Sequence, residues 1–301
     1  MFQPIINIDN NPFNISKENF QPLILDGAMG SYLQEKGFKP NYVLWMTEIN
    51  QTNPDMIVQI HKEYIEAGAD IITSSTFRTN PFAFESTGKD WVKNVKQAVN
   101  LAQTAATDYD KKLYIAGSNA PAEDCYQKER TISNNKVAVN HKYHIDLLID
   151  SGVHFILNET QSHFDEIKII CKHCCKNKIP YSVSLYVTDS LTILSEESLK
   201  YVLQFIQDYE PLAIGFNCIP PSVFKKIREQ VELSFNWGYY LNCGSENPAD
   251  KTITCGVNTI EYIEIVKESI NFNPSFIGSC CGSNPNYIRK IKEFFDGRNK
   301  S

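Results

Sequence analysis

No segment of the sequence approaches the roughly 18 consecutive apolar residues of a membrane-crossing helix, so no membrane span is expected. Blocks of Lys and Arg are also missing, and the formal net charge is -6. Nucleic acid and anionic membrane surfaces both need clustered positive charge, so neither is an expected partner and small molecules are. The opening stretch MFQPIINIDNNPFN has neither the charged start and apolar core of a secretory signal nor the Arg-rich character of a mitochondrial presequence. A cytoplasmic location is the expectation. No Gly/Ser-rich or Pro-rich linker divides the chain. Residues 1–301 are therefore read as one domain, with 1–20 as an N-terminal lead segment.

Hydrophobic residues make up 42% and charged residues 21% of the chain, an ordinary soluble composition with ample core material. Its nine cysteines are an odd count in a chain too large to need disulfide staples, which points to reduced thiols with metal or catalytic work. Short apolar runs alternate with segments of helical periodicity. The runs are Leu23–Leu25, Ile71–Thr73, Tyr114–Gly117, Phe155–Asn158, Tyr181–Leu185, Ala213–Phe216, Tyr239–Leu241 and Phe276–Gly278. Helices are expected at Met56–Ala67, Val92–Thr107, Val137–Ile149, Phe164–Lys176, Glu196–Gln207, Ser222–Glu229, Thr259–Ser269 and Asn284–Phe295. Eight strand–helix units without a Gly-rich dinucleotide fingerprint favour a single (β/α)8 TIM-type barrel of the α/β class over an open doubly wound sheet.

In such barrels the site is built at the carboxyl ends of the strands, so strand-end residues become the candidates. Strand one ends in Asp26-Gly27, strand two in Thr73-Ser74-Ser75-Thr76-Phe77, and strand four in Asn158-Glu159-Thr160. Strand six ends in Asn217-Cys218, strand seven in Asn242-Cys243-Gly244, and strand eight in Ser279-Cys280-Cys281-Gly282. Cys218, Cys280 and Cys281 thus converge as three thiolates with no His spaced as a ligand. That set suits Zn²⁺, which takes tetrahedral sulfur coordination and keeps one position open in catalytic sites. The plainer reading makes them ordinary buried small residues, but adjacent cysteines flanked by glycines are poor core material. Cys171, Cys174 and Cys175 read as helix core, Cys125 and Cys255 receive no role, and Cys243 stands near the proposed metal as a weaker ligand candidate.

Asp26 and Glu159 together suit the ammonium of an amino-acid substrate, although each also has a local role open to it as turn cap or ion-pair partner. Thr73, Ser75 and Thr76 offer donors for a carboxylate. Phe77 suits the path of a cationic methyl donor, with Trp45, Tyr186 and Trp237 as further aromatic candidates. His141, His144, His154 and His163 follow no ligand spacing and read as structural or exposed.

From Leu23 to Phe295 the chain resembles the homocysteine S-methyltransferase family. Its LLDGAMGT-like segment is written here LILDGAMGS, its TNTF-like segment SSTF, its GxNC segment GFNC and its GGCCGT signature GSCCGS. The resemblance implies zinc held by Cys218, Cys280 and Cys281, and the homocysteine amino group held by Asp26 and Glu159. Gly27 and Ser75, Thr76 and Phe77 would lie near the substrate, and Asn242 stands in a YPNSGE-like segment written YLNCGSE. It further implies methyl transfer to the thiol of L-homocysteine, giving methionine, with S-methylmethionine or S-adenosylmethionine as donor. A betaine donor and a selenocysteine acceptor are alternatives. Rivals of other classes are a non-catalytic zinc or thiol sensor and a barrel lyase whose cysteines are incidental.

Overall fold

The structure, a computed structural model, describes residues 10–41, 43–244, 253 and 256–298. Eight parallel strands follow the order β1-β8-β7-β6-β5-β4-β3-β2. They are β1 (Leu23–Ile24), β2 (Ile71–Thr73), β3 (Tyr114–Asn119), β4 (Phe155–Gln161), β5 (Tyr181–Leu185), β6 (Ile214–Asn217), β7 (Trp237–Leu241) and β8 (Phe276–Ser279). A single bridge, Leu25 to Ile71, joins the β1 and β2 edges and closes the barrel. The helices are α1 (Pro12–Glu18), α2 (Met29–Glu35), α3 (Ile49–Thr52), α4 (Pro54–Ala67), α5 (Pro81–Phe84) and α6 (Trp91–Ala106). They continue with α7 (Asn134–Asp150), α8 (Phe164–Asn177), α9 (Leu199–Gln207), α10 (Pro221–Gln230), α11 (Thr259–Ser269) and α12 (Pro285–Arg298). This is a single (β/α)8 TIM-type barrel.

Strand alternation separates two cores. Ile72, Ile115, Ile156, Val183, Ile214, Tyr239 and Ile277 turn outward and pack against the helices. Their neighbours Leu25, Ile71, Tyr114, Phe155, Tyr240 and Phe276 fill the barrel interior, with Phe13 of α1 joining them. Phe13 sits 5.4 Å from the Phe276 ring and 5.8 Å from that of Phe155, so α1 plugs the base of the barrel. Gly238 is small for the same reason, since a Cβ there would lie 2.3 Å from Phe276.

Helix ends follow local chemistry. Gly68, at φ 115°, stops α4 in the left-handed region. Asp90 accepts from the Lys93 amide to start α6, and Asn258 and Glu261 form a capping box on α11. Differences from the sequence expectations are mainly at ends. Strands β3 and β4 run on to Asn119 and Gln161, placing Ser118 within regular sheet and Glu159 in a register shift between Asn158 and Gln161. Helix α9 starts at Leu199 rather than Glu196 because Ser198 caps it. The connection after β1 contains two helices outside the expected set, α2 and α3, both too short to show periodicity.

Candidate active site

At the carboxyl ends of the strands a cavity of about 300 Å³ opens, near the lower end of the usual range for small-molecule sites. Cys218, Cys280 and Cys281 meet in its floor, with their sulfur atoms within 4.8 Å of one another. Cys218 follows β6 with φ at 54°, beside Thr160, which has φ at 55° in the irregular stretch of β4 between Asn158 and Gln161. Asn217 ties these two unusual turns together, donating from Nδ2 to Thr160 Oγ1 (2.8 Å) and accepting from the Thr160 amide at Oδ1 (2.9 Å). Non-glycine residues hold such backbone only where their surroundings over-determine it, and here the result is to aim Cys218. Cys280 is registered to β7 by its amide bond to the Leu241 carbonyl (2.9 Å). Gly282, at φ 82°, turns the chain where a Cβ would lie 2.7 Å from the Gly244 nitrogen.

Hydrogen bonds from Cys218 and then Cys280 pull the Cys281 thiol well below its ordinary pKa, while the same contacts and burial push Cys280 well above. The three sulfurs interact with one another, so their protons come off as those of a set and not of single residues. The hydroxyl of Tyr126, from the loop after β3, is a further hydrogen-bond partner of Cys218.

The two carboxylates also line this cavity. Asp26 accepts from the Thr73 amide (2.7 Å) and the Thr73 hydroxyl (2.9 Å), yet burial raises its pKa to about 8, with the charge of Glu159 adding to the effect. Burial likewise lifts Glu159 to about 7, against a hydrogen bond from Ser118 and helped by Cys218. Two carboxyl groups this reluctant to ionise form a natural seat for a substrate cation, which would restore both charges.

Gly27, Ser75 and Phe77 line the cavity as expected, as does Trp45. Thr76 does not: fully buried, it turns into the wall and donates to the Ser118 carbonyl at 2.8 Å. Asn242 also stands outside the lining, its Oδ1 accepting from the Gly244 amide (2.8 Å) to shape the loop behind Cys281. Cys243 is buried behind the same wall, with its amide bonded to the Cys281 carbonyl (2.8 Å) and its sulfur near the Leu241 carbonyl (3.6 Å). It does not join the three-sulfur set.

Trp237 is corrected outright as a donor-path aromatic. Its position in β7 faces outward, where it is fully buried beside Tyr239 (6.2 Å) and Phe224 (6.3 Å) and donates to the Phe272 carbonyl. Tyr186 reaches the site only through Tyr126, edge-on at 5.2 Å. Cys171 and Cys174 are helix core, Cys175 is exposed, and Cys255 lies outside the described residues. Sequence reasoning passed over Tyr126, Arg78 and Ser118. The alternation of β3 points to Ser118 once that strand is extended, whereas the other two stand in loops without periodicity.

The homocysteine S-methyltransferase family profile matches residues 23–295. Homocysteine S-methyltransferase 2 of Arabidopsis thaliana is 24% identical, covering 93% of this chain and 96% of the relative. Selenocysteine Se-methyltransferase of Brassica oleracea var. italica is 24% identical over 91% of this chain and 89% of its own. The metallated crystal structure of the Escherichia coli homocysteine methyltransferase MmuM superposes with a TM-score of 0.79 at 22% identity, over 94% of this chain and 99% of the other. With an enclosing barrel, a three-cysteine floor and a profile match across nearly its whole length, this chain belongs to the homocysteine S-methyltransferase family.

Proposed function

We propose that residues 1–301 form one homocysteine-binding barrel domain that transfers a methyl group from a sulfonium donor, S-methylmethionine or S-adenosylmethionine, to L-homocysteine, giving methionine. The observation that carries this is the three-cysteine cluster in the floor of a cavity also lined by two cation-poor carboxylates. The donor set fits Zn²⁺. Sulfurs at about 2.3 Å from a tetrahedral zinc stand about 3.8 Å apart, and Cys280 and Cys281 already stand at 3.9 Å. Zinc bound by Cys218, Cys280 and Cys281 would lower the pKa of the substrate thiol, so no separate base is demanded.

The chain's own residues do the rest. Asp26 and Glu159 hold the homocysteine ammonium, with Thr73 fixing the Asp26 carboxylate. Ser75 and Phe77 border the substrate, while Thr76 and Asn242 brace the wall from behind. In-line attack forms the new S–CH₃ bond as the donor's breaks, and the electron pair stays on the donor sulfur as a neutral thioether. Holding both sulfurs in near-attack geometry supplies much of the acceleration.

Methionine formation by reduced, zinc-loaded protein given homocysteine with S-methylmethionine, S-adenosylmethionine or betaine in parallel tests the reading. Product from a sulfonium donor supports it, and product from betaine alone corrects the donor. Zinc binding without product from any donor favours the sensor. The Brassica relative's name motivates a parallel assay with selenocysteine as acceptor. A cytoplasmic setting fits eight described cysteines with no disulfide among them.

A further inference from the structure

Arg78 is the sole basic residue among the described residues lining the cavity, whose three carboxylates are Asp26, Glu159 and Asp124. Its Nη1 donates to the Glu123 carbonyl at 2.9 Å, which fixes the guanidinium. Its Nη2 stands 3.7 Å from Asp124 Oδ2, too far for a hydrogen bond, so the pair is loose. The Arg78 side chain is only 18% exposed, so a cation is held in the wall, while that of Asp124 is 57% exposed, with Oδ1 accepting from the Tyr126 amide at 2.9 Å and Oδ2 toward Arg78. A guanidinium has five donors in a fork that matches a carboxylate, and one carbonyl and a loose ion pair do not use them all.

Arg78 and Asp124 come from other elements than the acceptor's carboxylates. Asp26 and Glu159 are assigned to the acceptor's ammonium, whereas Arg78 and Asp124 stand in the loops after β2 and β3. Phe77, adjacent to Arg78 in sequence, and Tyr126, the partner of Cys218, also line the cavity and offer aromatic faces to a sulfonium.

Resting on the methyl-transfer reading above, we propose that Arg78 and Asp124 hold the amino-acid head of the methyl donor, Arg78 its α-carboxylate and Asp124 its α-ammonium. Donors with a free amino-acid group satisfy both side chains. Betaine has a carboxylate but no N–H to offer Asp124, so it satisfies one.

The test compares kcat/KM of zinc-loaded enzyme for S-methylmethionine and for its decarboxylated analogue, (3-aminopropyl)dimethylsulfonium. The wild-type enzyme should prefer the full donor roughly 10- to 100-fold, the usual effect of an unmet charge-assisted hydrogen bond. In Arg78→Met the preference should collapse, with the loss in the donor KM rather than the homocysteine KM, and Arg78→Lys should recover part of it. Equal losses on both donors would overturn the proposal, as would a loss confined to the homocysteine KM, which would put the acceptor's carboxylate on Arg78. Should Arg78→Met not fold, Asp124→Asn serves. It should erase the preference for S-methylmethionine over the deaminated analogue 4-(dimethylsulfonio)butanoate, and an undiminished preference overturns the proposal. Wild-type enzyme that makes no methionine from any donor overturns the functional reading itself and this proposal with it. Product formation with unchanged discrimination overturns the donor anchor alone.

Discussion

A side chain at Gly27 would have nowhere to go: its Cβ would lie 2.8 Å from the Tyr64 ring and 2.9 Å from Ser283 Oγ. Tyr64 is fully buried and donates to the Ala28 carbonyl at 3.0 Å, so it has little room to yield. Gly27→Ala should therefore displace the Asp26 strand end and raise the homocysteine KM about tenfold, the order expected of overpacking, which steady-state kinetics would read. Cys218→Ser should lose zinc by elemental analysis and more than about 100-fold in activity, since even outer partners of metal ligands are worth that much. Cys243→Ser should keep its zinc, and a metal-free variant would show the ligand set to be wrong. At this scale the three cysteines were legible because adjacent cysteines between small residues at a strand end have little use but ligation. Thr76, Asn242 and Trp237 were not, because which way a loop residue turns, or which face a strand-start residue takes, is decided by partners distant in sequence.

Helices α7 and α8 are joined to β3 by a buried polar chain. Glu166 meets His141 Nε2 at 2.6 Å, His141 meets Asn119, Asn119 Oδ1 meets His144 Nδ1 at 2.8 Å, and His144 Nε2 meets Thr79 Oγ1 at 2.8 Å. Arg130 closes the far end with bonds of 3.0 Å to both Asp165 and Glu166. The chain ends in the loop carrying Ser75 and Phe77, so it braces the cavity wall. The histidines were legible only as structural, since partners 25 residues apart on neighbouring helices leave no local spacing. Burial opposes ionisation of Glu166, but His141 and Arg130 overcome it and hold its pKa at about 2 against an ordinary 4.5. Its contribution is full above 4.5 and is lost as pH falls from there toward 2. Burial also lowers His61 to about 4 and His144 to about 3, from an ordinary 6.5. Their contribution as neutral rings is full above 6.5 and fades below it as the unfolded chain takes up protons. Asp26 and Glu159, raised to about 8 and 7, favour the fold increasingly as pH falls toward 4.5 and so oppose the histidines. Melting temperature should thus change little from pH 6.5 to about 4.5 and fall below it, and Glu166→Gln should flatten that decline while costing about 3 to 5 kcal/mol at neutrality. A neutral-pH melt matching wild type would show the ion pair to be dispensable.

The barrel itself was legible because eight repeats of two periods leave few folds to choose from, while its base and its seam were not. Helix α1 is too short to announce itself, yet Phe13 completes the interior. Phe13→Ala should cost about 3 to 5 kcal/mol, read as a lower denaturation midpoint with zinc content unchanged. The seam is the thinner feature. Between β1 and β2 the backbone contributes the Asp26 amide to the Ile71 carbonyl (2.9 Å) and the Asp70 amide to the Ile24 carbonyl (2.7 Å). Carboxylates supply the other stitches, Asp70 to the Ile24 amide (2.9 Å) and Asp26 to the Thr73 amide (2.7 Å). The group assigned to the substrate's ammonium is therefore also a clasp on the one joint where the cylinder is barely sewn. An arriving ammonium would strengthen the clasp by fixing its charge, so occupancy of the site should be legible as slowed deuterium uptake along this joint, in a molecule whose remaining staves exchange as before.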